Sequence, residues 1–491
     1  MDWRADLPGA AVLSGLFLGL VLAAEIWRRF GNPQAEWTRK LVHMGGGIAC
    51  LFFPFLVRSP WVVLAMAAPL TAVFALGGRL GFLRSLHGVS RRSRGVEYYP
   101  LSVFLVFLMA RDRPWIYVSA LLVLAVGDAF AALIGSRYGV VRYQVEDEYK
   151  SLEGSMVFLV IAFLAIHLPM LLLTDLPRPV CVLAALLVAA LVTGFEAISL
   201  RGADNLFVPL AVAVVLGKIT AQPLAEVIFQ NLSLLVICLV VAALVWRTRA
   251  LNAGGTLAFI LYAYGAWSLG SWQWALPAFI GFAAYVAIWV YLGRRGRPGG
   301  ARVQTLARAV LPPFCILILA NSFRQAFDPA YGPYLAASGA VLAFCLRPGL
   351  LILLRRRPSC RAAPGSPPDL RSPRTWKALR AAPWLAGAAA GAAAGLAVAV
   401  PPWLIQGLPP TPLLAVSAVV LAVSLANAAL VRDEGDLEAE EEADFPWPAR
   451  LFLLAFAAAA LVLALQWAGL APAWRPDLAV WGAFHPLQVH S

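Results

Sequence analysis

Asp128 lies in the middle of an apolar run, and few residues elsewhere in the chain have the chemistry to work with it. A carboxylate at that depth costs about 2.5–3.5 kcal/mol on membrane-insertion scales, so it calls for a partner or a task. It belongs to GDAFAALIGSRYG, Gly127 to Gly139, where Ala132, Gly135 and Gly139 follow at i+4, i+7 and i+11. That helical stripe of small residues would let a ligand or a neighbouring backbone come close. The plainer alternative is a structural aspartate paired with a nearby Arg or Lys.

Three further polar groups stand at the ends of apolar runs. RKLVHMGGG sets Arg39, His43 and Gly47 on one helix face with Lys40 beside them. Taken alone it reads equally well as a basic anchor followed by a glycine packing surface. KSLEGS begins at Lys150 and opens the next run. Ser151 can cap a helix there with Glu153 in its first turn. Alternatively, Lys150 and the free N–H groups of the helix start can hold phosphate oxygens. In EAISLRGADNLFVPL, Glu196 closes one run while Asp204 and Asn205 begin another. Asp204 as a simple helix cap is the bland reading, yet two more carboxylates and an amide on one side exceed what capping requires. Carboxylates, an amide, a lysine and glycines near helix starts suit a nucleotide bound with Mg²⁺, which needs one or two carboxylates besides phosphates and water. Phosphoryl transfer depends mainly on positioning and charge neutralisation. Neither GxxxxGK[ST] nor a GxGxxG after a strand is present, so such a site would be of a membrane-specific kind.

The elements that must carry these groups follow from composition. Of 491 residues, 61% are hydrophobic and 13% charged, where a soluble domain carries about 25% charged residues. Mean hydropathy is +0.77. Lipid is the solvent. Apolar windows of about 20 residues recur along the chain, among them 115–135, 155–174, 180–198 and a shorter run at 206–220. They predict an all-α polytopic integral membrane protein with roughly 14–18 transmembrane helices. Lys and Arg concentrate in alternate loops, which places the N-terminus outside and all four polar groups on the cytoplasmic side. The net charge of +13 resides in those loops and gives no nucleic-acid surface. The six cysteines show no ligand spacing, which argues against a disulfide framework or a zinc site. Residues 1–250 form the part with clustered polar groups; residues 251–491 are Ala-rich, with solvated loops at 355–380 and 432–448. The Ala/Arg-rich composition suggests a bacterial inner membrane.

RKLVHMGGG, GDAFAALIGSRYG, KSLEGS and DNLFVPL, in this order, resemble the polyprenol kinase family: phytol kinase, dolichol kinase and CTP-dependent diacylglycerol kinase. The resemblance covers about residues 36–220. It implies transfer of a phosphate from a nucleotide, CTP before ATP, to the hydroxyl of a lipid alcohol, with Mg²⁺ as cofactor. It also implies a site of Asp128, Lys150, Glu153, Glu196 and Asp204, with Asp128 and Asp204 on the metal. Gly127, Gly135, Gly139, Ser151, Gly154 and Asn205 would shape it, beside Arg39, Lys40 and His43. The loop GVVRYQVEDEY departs from the family in its extra acidic residues. Residues about 251–320 resemble, faintly, the phytyl-phosphate kinase family but lack its later acidic motif, which implies a diverged, non-catalytic partner domain. Two other functions fit intramembrane carboxylates: an ion-coupled transporter or flippase, and a phosphatidate cytidylyltransferase. A transporter predicts inverted repeats and acidic residues in both halves, and neither is seen.

Overall fold

A computed structural model describes residues 3–31, 35–80, 95–146, 148–200, 202–291, 303–322, 330–356, 373–406, 410–430 and 449–474. Arg201, the Arg39 side chain, most of the 355–380 linker and the acidic run at 433–444 lie outside the described residues. The chain divides into two compact units, with the division between Leu235 and Val236.

The first unit contains α1 (Leu7–Gly31), α2 (Ala35–Cys50), α3 (Pro60–Leu80), α4 (Gly95–Ala110) and α5 (Pro114–Tyr138). A hairpin of β1 (Arg142–Val145) and β2 (Glu148–Ser151) follows, then α6 (Leu152–Leu173), α7 (Arg178–Ile198) and α8 (Asp204–Ile219), and the division falls within the next helix, α9 (Leu224–Thr248). Among the described residues, eight helices are long and apolar enough to cross a membrane, and five shorter apolar ones accompany them. The protein is an integral membrane protein of the all-α class. The eight are fewer than the spans expected from hydropathy alone. Helices such as α4 and α8, at 16 residues each, reach about 24 Å and fall short of a hydrocarbon core about 30 Å thick.

Local sequence explains the ends of these elements. Pro114 starts α5, where its missing N–H costs nothing. Ser151 caps α6 by accepting the Gly154 N–H at 3.1 Å. Midway along α5, Val123–Gly127 form a π turn immediately before Asp128. The helices approach closely where glycine allows it. A methyl group on Gly135 would stand 2.7 Å from Ser151 Oγ and 3.3 Å from Gly154 Cα, so α5 and α6 cross backbone to backbone. On α2, the faces of Gly45 and Gly46 meet Leu20 and Phe17 of α1. Gly47 lies against Ala125 of the π turn and the Tyr99 hydroxyl. We therefore expect Gly47→Ala to lower the melting temperature of the detergent-solubilised protein, because its methyl overlaps the Ala125 side chain. Overpacking of this kind costs about 1–3 kcal/mol, and an unchanged midpoint would show that α2 does not seat as described.

The second unit holds α10 (Ala253–Gly270), α11 (Trp272–Tyr291), α12 (Val303–Ser322), α13 (Tyr331–Arg356), α14 (Pro373–Gln406), α15 (Thr411–Leu430) and α16 (Ala449–Trp467). Its core is aromatic on one side, where Trp274 packs on Tyr331 and Tyr334. Elsewhere small residues pack together: Gly387, Gly391 and Gly395 of α14 lie against Ala428, Ser424 and Ser417 of α15. Ser424 Oγ donates to the Gly387 carbonyl at 2.7 Å. Small residues four apart with a hydroxyl bond between helices are the usual way to join helices in lipid. The described residues of this unit include no Asp or Glu.

Candidate active site

The first half of the site is a contact between α2 and the middle of α5. Lys40 is buried, and its Nζ donates to Asp128 Oδ2 at 2.7 Å and to the Asp128 carbonyl at 3.2 Å. His43 Nε2 donates to the Leu124 carbonyl inside the π turn at 3.0 Å and stands 3.4 Å from Asp128 Oδ2. The Tyr99 ring of α4 meets the imidazole edge-on at 5.0 Å, and its hydroxyl donates to the His43 carbonyl at 3.4 Å. The α2 residues that meet α5 are thus Lys40, His43 and Gly47, at i, i+3 and i+7. The plainer reading of Asp128, an aspartate paired with a lysine, describes the contact seen; the pair leaves its carboxylate fixed and partly exposed.

The second half rests on the hairpin, which replaces the irregular loop expected between the spans. Its register places Tyr143 opposite Lys150 and Val145 opposite Glu148. Directly opposed residues share a face of the ladder, and this is the more buried face, while Arg142, Gln144 and Tyr149 are exposed. Lys150 therefore sits on a strand, one residue before the α6 cap. Its Nζ donates to Glu196 Oε1 at 2.7 Å and to the Glu196 carbonyl, near the end of α7. Both side chains of this ion pair are largely withdrawn from water. Glu153 Oε1 accepts the Val141 N–H at 3.0 Å, tying the strand entry to the helix start.

Asp204 is the first residue of α8, ahead of the apolar run at 206–220. Its Oδ1 accepts the Asn205 N–H at 2.9 Å. Partial burial raises its carboxyl above the ordinary aspartate range. The nearby Asp128 and Glu196 charges add to the rise, and Lys150 opposes it. Groups from α5, β2, α7 and α8 are therefore close enough to act on one another electrically. Asn205 is buried beside them. Gly135, Gly139 and Gly154 meet at Ser151, and Gly127 lies against Phe158, so these glycines let α5 and α6 pack closely beside the candidate site.

Among the described residues, no three His, Cys, Asp or Glu side chains form a cage for a metal ion. The arrangement nevertheless fits Mg²⁺ held by one or two carboxylates and completed by phosphate and water. Asp204 is half-buried, shows no ion pair among the described residues, and faces two like charges that a cation would relieve.

No protein-family model matches the chain, and no solved structure matches it. The phytol kinase of Synechocystis sp. is 35% identical over 209 residues, which make up 42% of this chain and 89% of that protein. The Glycine max protein named "Probable phytol kinase 1, chloroplastic" is 33% identical over 168 residues, 31% of this chain and 54% of that protein.

Proposed function

Since the chain belongs to the polyprenol kinase family, with the phytol kinases among its members, we propose that the Asp128–Lys150–Glu196–Asp204 cluster phosphorylates a long-chain isoprenoid alcohol. Phytol or a polyprenol is the favoured acceptor, ahead of diacylglycerol, and CTP is favoured over ATP as donor. The observation that carries this reading is the pair of largely buried ion pairs, Lys40–Asp128 and Lys150–Glu196, each with N–O distances of 2.7 Å, with Asp204 near enough to feel the Asp128, Glu196 and Lys150 charges.

The hydroxyl oxygen of the alcohol forms a bond to the terminal phosphorus of the nucleotide as the bond to the bridging oxygen breaks. Mg²⁺, when bound, neutralises phosphate charge. Asp128, held by Lys40 and His43, and Asp204 would hold it. Lys150 faces the phosphate oxygens, and Glu196 keeps its ammonium in place. A carboxylate of the cluster takes the hydroxyl proton. The lipid chain stays in the bilayer with its hydroxyl at the interface, and the basic loops set this end of the unit on the cytoplasmic side, with the N-terminus outside.

Purified protein incubated with terminally labelled CTP or ATP and with phytol, a polyprenol or diacylglycerol tests the reading. Label is expected in the phosphate of an isoprenoid alcohol, faster with CTP. Release of pyrophosphate with phosphatidate as substrate would identify a cytidylyltransferase instead. Absence of labelled lipid with every donor and acceptor would overturn the kinase reading of this site.

A further inference from the structure

We propose that Tyr143 is a positioning residue for phosphoryl transfer: it anchors the hairpin to the start of α6 through Ser155 and so holds Lys150 on Glu196. The kinetic part of the proposal rests on the reading of Lys150 given above; the structural part does not.

The argument starts from the hairpin itself. Two strands of four residues are at best marginally stable alone in water, so their position is set by whatever ties them down. At the base, Leu152 N–H donates to the Val141 carbonyl at 2.8 Å, and Glu153 receives the Val141 N–H. Farther out, on the face that carries Lys150, the Tyr143 hydroxyl and Ser155 Oγ are 2.7 Å apart. Tyr143 is directly opposite Lys150 in the register, so any tilt of the strand at Tyr143 is transmitted to the lysine. A lysine side chain is a flexible four-carbon stem ending in a point charge, and a steady base is needed to place that charge within one hydrogen bond of Glu196.

The Tyr143 ring is half-buried and close enough to the Lys150–Glu196 pair to feel both charges, and burial raises its phenol above the ordinary tyrosine range. It is therefore a neutral hydroxyl whose hydrogen bond is spent on Ser155. This distinguishes it from a tyrosine that merely sits at the membrane interface. An interfacial tyrosine would be exposed, as Tyr149 on the other face is.

Tyr143→Phe, Ser155→Ala and the double variant test the proposal with two readouts. One is turnover: each single change should lower kcat about fivefold, the worth of one hydrogen bond, while KM for the nucleotide stays within about twofold. The double variant should be no slower than either single one, because both changes remove the same bond. The other readout needs no activity: labelling of Lys150 by an amine-reactive succinimidyl ester, followed by peptide mass spectrometry, should rise about fivefold in each variant. Unchanged Lys150 labelling in both single variants would overturn the tether. So would losses that multiply to about 25-fold in the double variant, since Tyr143 and Ser155 would then act separately. If labelling rises but Lys150→Met turns over at the full rate, the tether stands and the phosphate role of Lys150 fails.

Discussion

Asp128→Asn should lower the rate of lipid-alcohol phosphorylation by about 10²–10³-fold, the loss typical when one charge-stabilising group is removed from a reacting centre. The substitution keeps the shape and an oxygen that can still accept from Lys40 Nζ, now 2.7 Å from Oδ2. What it removes is the negative charge. Lys40 is left buried without that counter-charge, and breaking a buried pair costs about 3–5 kcal/mol. Loss of rate could then be confused with loss of fold, so Lys40→Met/Asp128→Asn is the control. Removing both charges together is often neutral or stabilising, so the double variant should regain the melting temperature yet stay inactive. Initial rates of labelled lipid phosphate and melting curves in the same detergent separate the two effects. Full activity in Asp128→Asn would remove Asp128 from the site.

Lys150→Met is the second large effect, and its signature differs. Methionine fills a similar length without charge, so the hairpin keeps its packing while Glu196 loses its cation. A lysine that faces phosphate acts on bound nucleotide and on the transition state alike. Both KM and kcat should therefore worsen, with kcat/KM down about 10²–10³-fold. Asp128→Asn should act mainly on kcat. Glu196→Gln, which leaves Lys150 in place but unpaired, should cost less turnover than Lys150→Met. Equal KM values for Lys150→Met and the parent protein would mean that Lys150 does not meet the nucleotide. Steady-state kinetics with nucleotide as the varied substrate decides this.

Much of the architecture can be read from the chain because lipid imposes one rule on it: apolar runs of sufficient length become helices. The runs at 155–174 and 180–198 appear as α6 and α7 with ends shifted by only a few residues. The Ser151 cap was legible for the same kind of reason, since the side chain and its N–H partner are three residues apart. The hairpin was legible in principle. Arg-Tyr-Gln-Val and Glu-Tyr-Lys-Ser alternate in sequence, and Glu146, after the first of them, adopts a positive φ of 53°. Strands this short carry little hydrophobic signal, and the acidic residues drew attention instead. Lys40–Asp128 was not legible as a pair. The two are 88 residues apart, and local spacing does not tell which way α2 turns its faces. Gly47 is where α2 comes closest to the Ala125 side chain of the π turn, a contact that only the folded chain reveals. The π turn itself, Val-Leu-Ala-Val-Gly, carries no residue that distinguishes it from ordinary helix.

That turn bears on how such a chain could change over time. A π turn holds one residue more than the α-helix around it, and a single residue corresponds to about 100° of rotation. Shortening Val123–Gly127 by one residue would leave Pro114 and Tyr138 at the two ends of a helix still long enough for the bilayer. Everything after the deletion would swing by about a quarter turn, and Asp128 would look away from Lys40. Anchorage in the membrane and the aim of the carboxylate are thus set by separate parts of one helix. Lineages that lost the extra residue would keep the apolar span but lose both the Lys40–Asp128 contact and the close crossing at Gly135 in a single step.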